Sequence, residues 1–264
     1  MSEAGSVKFA ESKNRFANGV ADYLRYRPRY PAGVLDLMQM HCLLTPAQAV
    51  ADAGSGTGFL AELFLKNGNA VFGVEPNREM REAGEEYLAA YPRFTSIEGS
   101  AEATTLGDAS VSFVTAGQAF HWFEPASTRR EFARILRPHG WIAVVWNDRS
   151  TAESSFAHAY EDLLQRFGID YSRVKESYPQ IEDIRAFFGH DKFLTREIPN
   201  FQIFDREGLR GRLRSSSYAP AEGHPNFAPM MAELDKLFDA HQQVRMDFST
   251  WIYLGQLNPD RELL

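Results

Sequence analysis

Residues able to grip or activate a small charged molecule gather at a few places in the sequence. The first is Asp52-Ala53-Gly54-Ser55-Gly56-Thr57-Gly58, a carboxylate followed at once by alternating glycines. Glycine has no Cβ, so such a turn can take positive φ and bring bare backbone against a ligand. The second is Glu75, which closes the apolar run Ala70-Val71-Phe72-Gly73-Val74. It stands where α/β nucleotide-binding folds place the acid that holds a ribose. The third is Gly117-Gln118-Ala119-Phe120-His121-Trp122-Phe123-Glu124, three aromatics around a histidine. Aromatic faces favour a cation by roughly 0.5–2 kcal/mol, and a histidine titrates near neutrality, which suits a general base. The same residues would equally serve as packing for the next helix. Upstream, Tyr23 precedes Tyr26-Arg27-Pro28-Arg29-Tyr30-Pro31, a stiff, extended connector of the kind that can lie across a pocket mouth.

Such residues need a scaffold, and hydrophobic periodicity supplies one. Apolar residues at helical spacing over 7–30 predict a first helix, with Phe9, Phe16, Val20 and Tyr23 on one face, ending before Pro28. A second helix over 32–40 leads to a strand from Ala49, the glycine turn, and a helix over 59–68 with a glycine stop. Strands follow over 70–75, 94–98, 111–116 and 141–147, with helices over 78–90 and 126–136 between them. Arg137-Pro138-His139-Gly140 reads as a helix stop and turn. Strand alternating with helix implies a parallel, doubly wound α/β sheet, whose ligands lie at the carboxyl ends of the strands.

The alternation breaks after residue 148. Residues 154–189 are helical and aromatic, and alternating runs over 193–204 and 248–255 suit an antiparallel pair closing the sheet. Between them, helices are expected over 205–214 and 225–244. Arg206, Arg210 and Arg214 share one helix face, either turned to solvent or facing an anionic substrate. The expected organisation is one domain, 1–264, with an N-terminal arm (1–31), a core (32–148), helical cap segments (149–191 and 205–245) and closing strands (192–204 and 246–256).

Composition narrows the functional classes. The 28 Lys and Arg residues against 35 Asp and Glu give the 264-residue chain a formal net charge of −7, which argues against non-specific nucleic-acid binding. The single cysteine, Cys42, leaves no internal disulfide or cysteine metal cluster and reads as a small buried hydrophobe. The first thirty residues lack a signal-peptide apolar core, and no apolar run has bilayer-spanning length. A cytoplasmic protein, with neither membrane nor nucleic acid as partner, is expected.

Spacing selects the ligand. A dinucleotide fingerprint wants glycine at 54, 56 and 59, but the third glycine is Gly58 and Phe59 follows. Together with Asp52, Glu75, Ser100-Ala101-Glu102, Gln118 to Trp122 and the strand over 141–146, this pattern resembles the class I S-adenosylmethionine (SAM)-dependent methyltransferases. The segments Arg27-Pro28-Arg29-Tyr30-Pro31 and Gln118-Ala119-Phe120-His121-Trp122-Phe123 resemble the trans-aconitate methyltransferase-like subgroup, whose known members methylate small carboxylic acids. The resemblance implies a Rossmann-like, seven-stranded, mostly parallel sheet under a helical cap, SAM as methyl donor with S-adenosylhomocysteine as product, and no metal. It places Asp52, Gly54, Ser55 and Gly56 on the methionyl portion and Glu75 on both ribose hydroxyls. Pro76, Asn77 and Met80 would flank the adenine, Ser100, Ala101 and Glu102 its edge, and Gln118 with Phe120 the methyl group. Tyr23 and Arg27 would close the site, Arg27 on a carboxylate, and His121 would be the base where the acceptor needs one. The acceptor would be a small, possibly anionic molecule. A nicotinamide-dependent oxidoreductase and a SAM-fold protein that binds without methylating are the alternatives.

Overall fold

The computed structural model describes residues 20–151, 154–176, 178–239 and 241–258. Among these, helices α1 (Val20–Tyr26) and α2 (Gly33–Cys42) precede strand β1 (Ala49–Ala53). There follow α3 (Phe59–Asn67), β2 (Ala70–Val74), α4 (Arg78–Tyr87), β3 (Phe94–Ile97), β4 (Val111–Gly117), α5 (Pro125–Ile135) and β5 (Leu136–Arg149). The remainder is α6 (Ser155–Phe167), α7 (Tyr171–Glu176), α8 (Ile181–Phe188), β6 (Phe193–Phe204), α9 (Arg206–Arg214), α10 (Phe227–Asp239) and β7 (Val244–Gly255).

The strands form one seven-stranded sheet in the order β3-β2-β1-β4-β5-β7-β6. The first five pair in parallel, and β7 runs antiparallel between β5 and β6. The expected α/β, mostly parallel architecture is therefore present, with the antiparallel pair closing the sheet. The order in which strands are added reverses between β1 and β4, and the carboxyl ends of those parallel strands flank the crevice that such a switch opens.

Because successive strand side chains face opposite ways, the sheet feeds two cores. Val50, Phe113, Ala143, Val145 and Ile252 pack with α2 and α3 on one face, whereas Ala51, Val114, Ile142, Val144 and Tyr253 pack with α5 and α8 on the other. A third cluster belongs to the cap. Tyr26 of α1 sits there with Tyr160, Leu164, Leu209, Leu213, Tyr218 and Leu234, so the arm and the later helices share one apolar interior.

Several expected boundaries are corrected. Residues 137–140 do not form a turn. They lie within β5, where the pairing steps from Val111 opposite Leu136 to Phe113 opposite Trp141. The extra residues bulge, and His139 takes the left-handed backbone at φ 61°. Helix α4 stops at Tyr87 and α10 at Asp239, and β7 begins at Val244, earlier than its alternating pattern suggested. Of the first predicted helix, Phe9 and Phe16 lie outside the described residues.

Candidate active site

The glycine turn leaves β1 pinned to its neighbour. The amides of Gly54 and Ser55 donate to the Val74 carbonyl at 2.8 and 3.1 Å. Gly54 has φ 65°, and a Cβ there would lie 2.6 Å from that of Ala119. Only bare backbone fits between the two loops. Glu75 completes the unit: its Oε2 accepts from the Gly56 amide at 2.9 Å and its Oε1 from the Asn77 amide at 2.8 Å. Asn77 in turn caps α4, its Oδ1 accepting from the Met80 amide at 3.1 Å. Each Glu75 oxygen keeps a further acceptor direction, while burial raises its pKa above the usual carboxylate value.

Asp52 is almost fully buried. Its Oδ1 accepts from the Thr115 hydroxyl at 2.7 Å, and its Oδ2 has no hydrogen-bond partner among the described residues. Burial pushes its pKa up to about 7, against the opposing Thr115 hydrogen bond. An unpartnered buried carboxylate oxygen is costly unless a ligand donor meets it.

Above this floor lies a cavity that opens to solvent. Tyr23, Arg27 and Tyr30 line it from the arm, Asp52, Gly54, Ser55 and Gly56 from the glycine turn, and Gln118, His121 and Trp122 from the loop after β4. These ten residues, all from stretches singled out in the sequence, thus share one space. Trp146, Tyr178, Ser217 and Tyr218 also line it. Trp146 reads in the sequence as one more apolar strand residue, and only the serine run before Tyr218 and the aromatic richness of residues 154–189 hinted at the rest.

The aromatic wall is built around His121, whose ring centroid lies 4.5 Å from that of Trp122 and 5.1 Å from that of Trp146. Tyr178 stands 5.0 Å from Trp146. Gln118 lines the cavity with its amide already engaged: Oε1 accepts from the Asn147 amide at 2.6 Å and Nε2 donates to the Asn147 carbonyl at 3.2 Å.

Phe120 corrects an expectation. It does not border the cavity but packs in the core, 5.1 Å from Phe187 and 6.0 Å from Phe123. The turn is a 3₁₀ helix over Phe120–Trp122, in which successive side chains diverge, so Phe120 points inward while His121 and Trp122 reach the cavity.

Glu75, Pro76, Asn77, Met80, Ser100, Ala101 and Glu102 do not line this cavity. Met80 supports the glycine turn from beneath, its Cε 3.3 Å from where a Cβ on Gly56 would stand. Ser100 and Ala103 bond reciprocally at 3.2 and 3.1 Å around buried Ala101. Glu102 accepts from the Glu124 amide at 2.9 Å, tying this loop to the start of α5.

The arm is docked by an unforeseen residue. Phe59, the side chain that breaks the dinucleotide pattern, receives the Arg29 guanidinium 3.5 Å above its ring and lies 5.8 Å from the Tyr23 ring. The Arg206, Arg210 and Arg214 face is partly solvent-exposed and does not line the cavity. These residues pair with Asp239, Asp235 and Asp22 respectively.

The Cβ-free Gly54 turn, the Asp52 oxygen lacking a donor and the aromatic wall fit a ligand with an amino group and a cationic centre, as SAM has. Residues 51–144 match the methyltransferase domain family. An uncharacterised methyltransferase-like protein of Schizosaccharomyces pombe is 33% identical over 253 residues, covering 92% of this chain and 96% of the relative.

The chain belongs to the SAM-dependent methyltransferases.

An uncharacterised methyltransferase of Mycobacterium tuberculosis is 39% identical over 134 residues, 51% of this chain and 52% of the relative, so the chain spans about half the length of that protein. A proposed type II methyltransferase from Anaeromyxobacter dehalogenans shares the fold at a TM-score of 0.63 and 22% identity, covering 88% of this chain and 98% of that one. For this methyltransferase SAM is the cofactor. Asp52 and the glycine turn face the cavity, and Glu75 braces the turn through the Gly56 amide.

Proposed function

We propose that this methyltransferase esterifies a small carboxylic acid, as the resemblance to the trans-aconitate methyltransferase-like subgroup implies. The observation that carries this reading is Arg27. Its Nη2 donates to the Ser215 carbonyl at 2.6 Å. Its Nε is sealed from solvent without a partner, and no described carboxylate lies in ion-pair reach. A cation held in this way beside the aromatic wall suits an acceptor carboxylate.

SAM supplies a methyl group activated by its sulfonium: the acceptor oxygen forms the new O–C bond as the S–C bond breaks and its electron pair returns to sulfur. The protein orients and shields the reactants. Gly54 to Gly56, Asp52 and Glu75 fix the donor side, Arg27 and Tyr23 hold the acceptor, and Trp122, Trp146 and Tyr178 exclude water. A carboxylate is ionised at neutral pH and requires no base, which leaves His121 as part of the aromatic wall. Cap and arm enclose the cavity, in keeping with a small-molecule acceptor rather than nucleic acid. Among the described residues no helix is long and apolar enough to cross a membrane, and we place the enzyme in the cytoplasm.

Methyl transfer from labelled SAM to a panel of carboxylic acids, phenols and amines tests this. Arg27→Ala is expected to lose at least about 100-fold in kcat/KM, the scale of a lost charge-assisted hydrogen-bond pair, whereas His121→Ala retains turnover. The opposite ranking would replace the carboxylate by an acceptor needing a base. Binding of SAM without transfer to any member of the panel would make this a binding protein.

A further inference from the structure

Tyr30 reaches the main cavity from the arm, between the donor anchors and the aromatic wall. Pro28 and Pro31 flank it and restrict the backbone on both sides. Its ring packs against the core that α2 and α3 share with the sheet and ends on Gly117, the last residue of β4. A Cβ on Gly117 would fall 2.5 Å from the Tyr30 hydroxyl oxygen and 2.9 Å from its Cζ. Only bare backbone lets the oxygen settle there.

That place has a chemical meaning. Gly117 lines the same cavity. Two residues on, Ala119 presses against Gly54 of the glycine turn, and just beyond stands the wall of His121, Trp122 and Trp146. The Tyr30 oxygen therefore lies between the region that offers Asp52 to an amino group and the region that offers aromatic faces to a cation. In SAM a short carbon chain joins those two groups, and the methyl group to be transferred hangs from the sulfur at its end.

The hydroxyl is uncommitted and stays neutral. No side-chain hydrogen bond from a described residue engages it, and burial, with Tyr23 and Asp52 adding to it, raises its pKa well above the usual phenol value against the opposing Arg27 charge. A protonated phenol keeps its lone pairs as acceptors but is a poor nucleophile. It can touch an activated methyl group without being methylated. Methyl hydrogens beside a positive sulfur are polarised, and an oxygen acceptor meets them in C–H···O contacts.

We propose that Tyr30 is a catalytic residue of the methyl transfer, its hydroxyl oxygen accepting C–H···O contacts from the sulfonium methyl group and aiming that group at the acceptor. Tyr30 forms and breaks no covalent bond and keeps its proton throughout. S-adenosylhomocysteine lacks the methyl group, so the contact also favours the donor over its spent product. The inference goes beyond the carboxylic-acid reading and is independent of it, because the contact is made to the donor whichever acceptor oxygen attacks.

Calorimetric titration of the full chain with SAM and with S-adenosylhomocysteine tests this. Tyr30→Phe keeps the ring and removes only the oxygen. It is expected to bind SAM at least about threefold more weakly, the scale of such contacts, with S-adenosylhomocysteine affinity unchanged. Gly117→Ala, whose added methyl must push the oxygen aside, should lose the same discrimination, and combining the two substitutions should lose no more than either alone. A parental ratio of the two affinities in Tyr30→Phe overturns the proposal. An equal fall for both ligands also overturns it and would make Tyr30 a packing residue of the arm. Failure of the parent to bind either ligand would overturn the donor site itself, and the role of Tyr30 with it.

Discussion

Asp52 shows how a single buried carboxylate couples ligand binding to pH. Its folded pKa, about 7, lies above the value of about 3.9 typical of an unfolded chain. Between those values the native state binds more protons than the unfolded state, so this group's contribution to stability falls as pH rises, by at most about 1.4 kcal/mol per pH unit. Urea unfolding between pH 4 and pH 8 should show the parent losing ground to Asp52→Asn with rising pH. S-adenosylhomocysteine should flatten the difference, because its amino group favours the ionised carboxylate. Parallel profiles for parent and variant would show that Asp52 does not titrate in this window. Glu75 differs in kind: its oxygens already organise the Gly56 and Asn77 amides, so it shapes the turn before any ribose is present.

Among the elements, α1 is the one whose placement completes the site. It lies against α9, where a Cβ on Gly211 would fall 2.0 Å from the Tyr26 ring. The Arg214–Asp22 pair at 2.7 Å, the Gln202 amide on the Tyr26 carbonyl at 3.1 Å and the Arg29 stack on Phe59 hold it further. Gly211→Ala must displace Tyr26 and with it the helix leading into Arg27. Overpacking of this sort costs about 1–3 kcal/mol, and the variant is expected to lose that much stability and to methylate more slowly. Unaltered stability and turnover in Gly211→Ala would show that this packing does not set the arm. The periodicity of residues 7–30 indicates that the arm contains a helix, but only the close approach at Gly211 fixes its docking face.

At the scale of the whole molecule, donor binding joins the sheet, the arm and the cap. A ligand at a hundredfold excess over its Kd stabilises the native state by about 2.7 kcal/mol, which for a domain of this size is a Tm rise of roughly 5–10 °C. S-adenosylhomocysteine is expected to produce it and NAD is not, and Glu75→Ala should lose most of the shift. A full shift in Glu75→Ala would remove the ribose role from that residue. The sheet order also explains why one cavity can serve donor and acceptor: the connections leaving the paired strands β1 and β4 run to opposite sides at the switch point, and β5 brings Trp146 alongside the loop that carries His121.

Local chemistry was legible in the chain alone. Glycines that admit backbone contact and the strand–helix rhythm are patterns of neighbouring residues, and they predicted the sheet and the glycine turn that floors the main cavity; the acid ending β2 braces that turn from outside the cavity. The folded structure was needed wherever the outcome depended on residues far apart in sequence. Periodicity could not tell that the 3₁₀ turn would send Phe120 inward and His121 outward, or that Phe59 would become the platform for Arg29. The regular arginine stripe of α9 drew notice in the sequence, yet it is spent on ion pairs with Asp22, Asp235 and Asp239. Charge compensation depends on distance and burial, and the order of residues along a chain encodes neither until it folds.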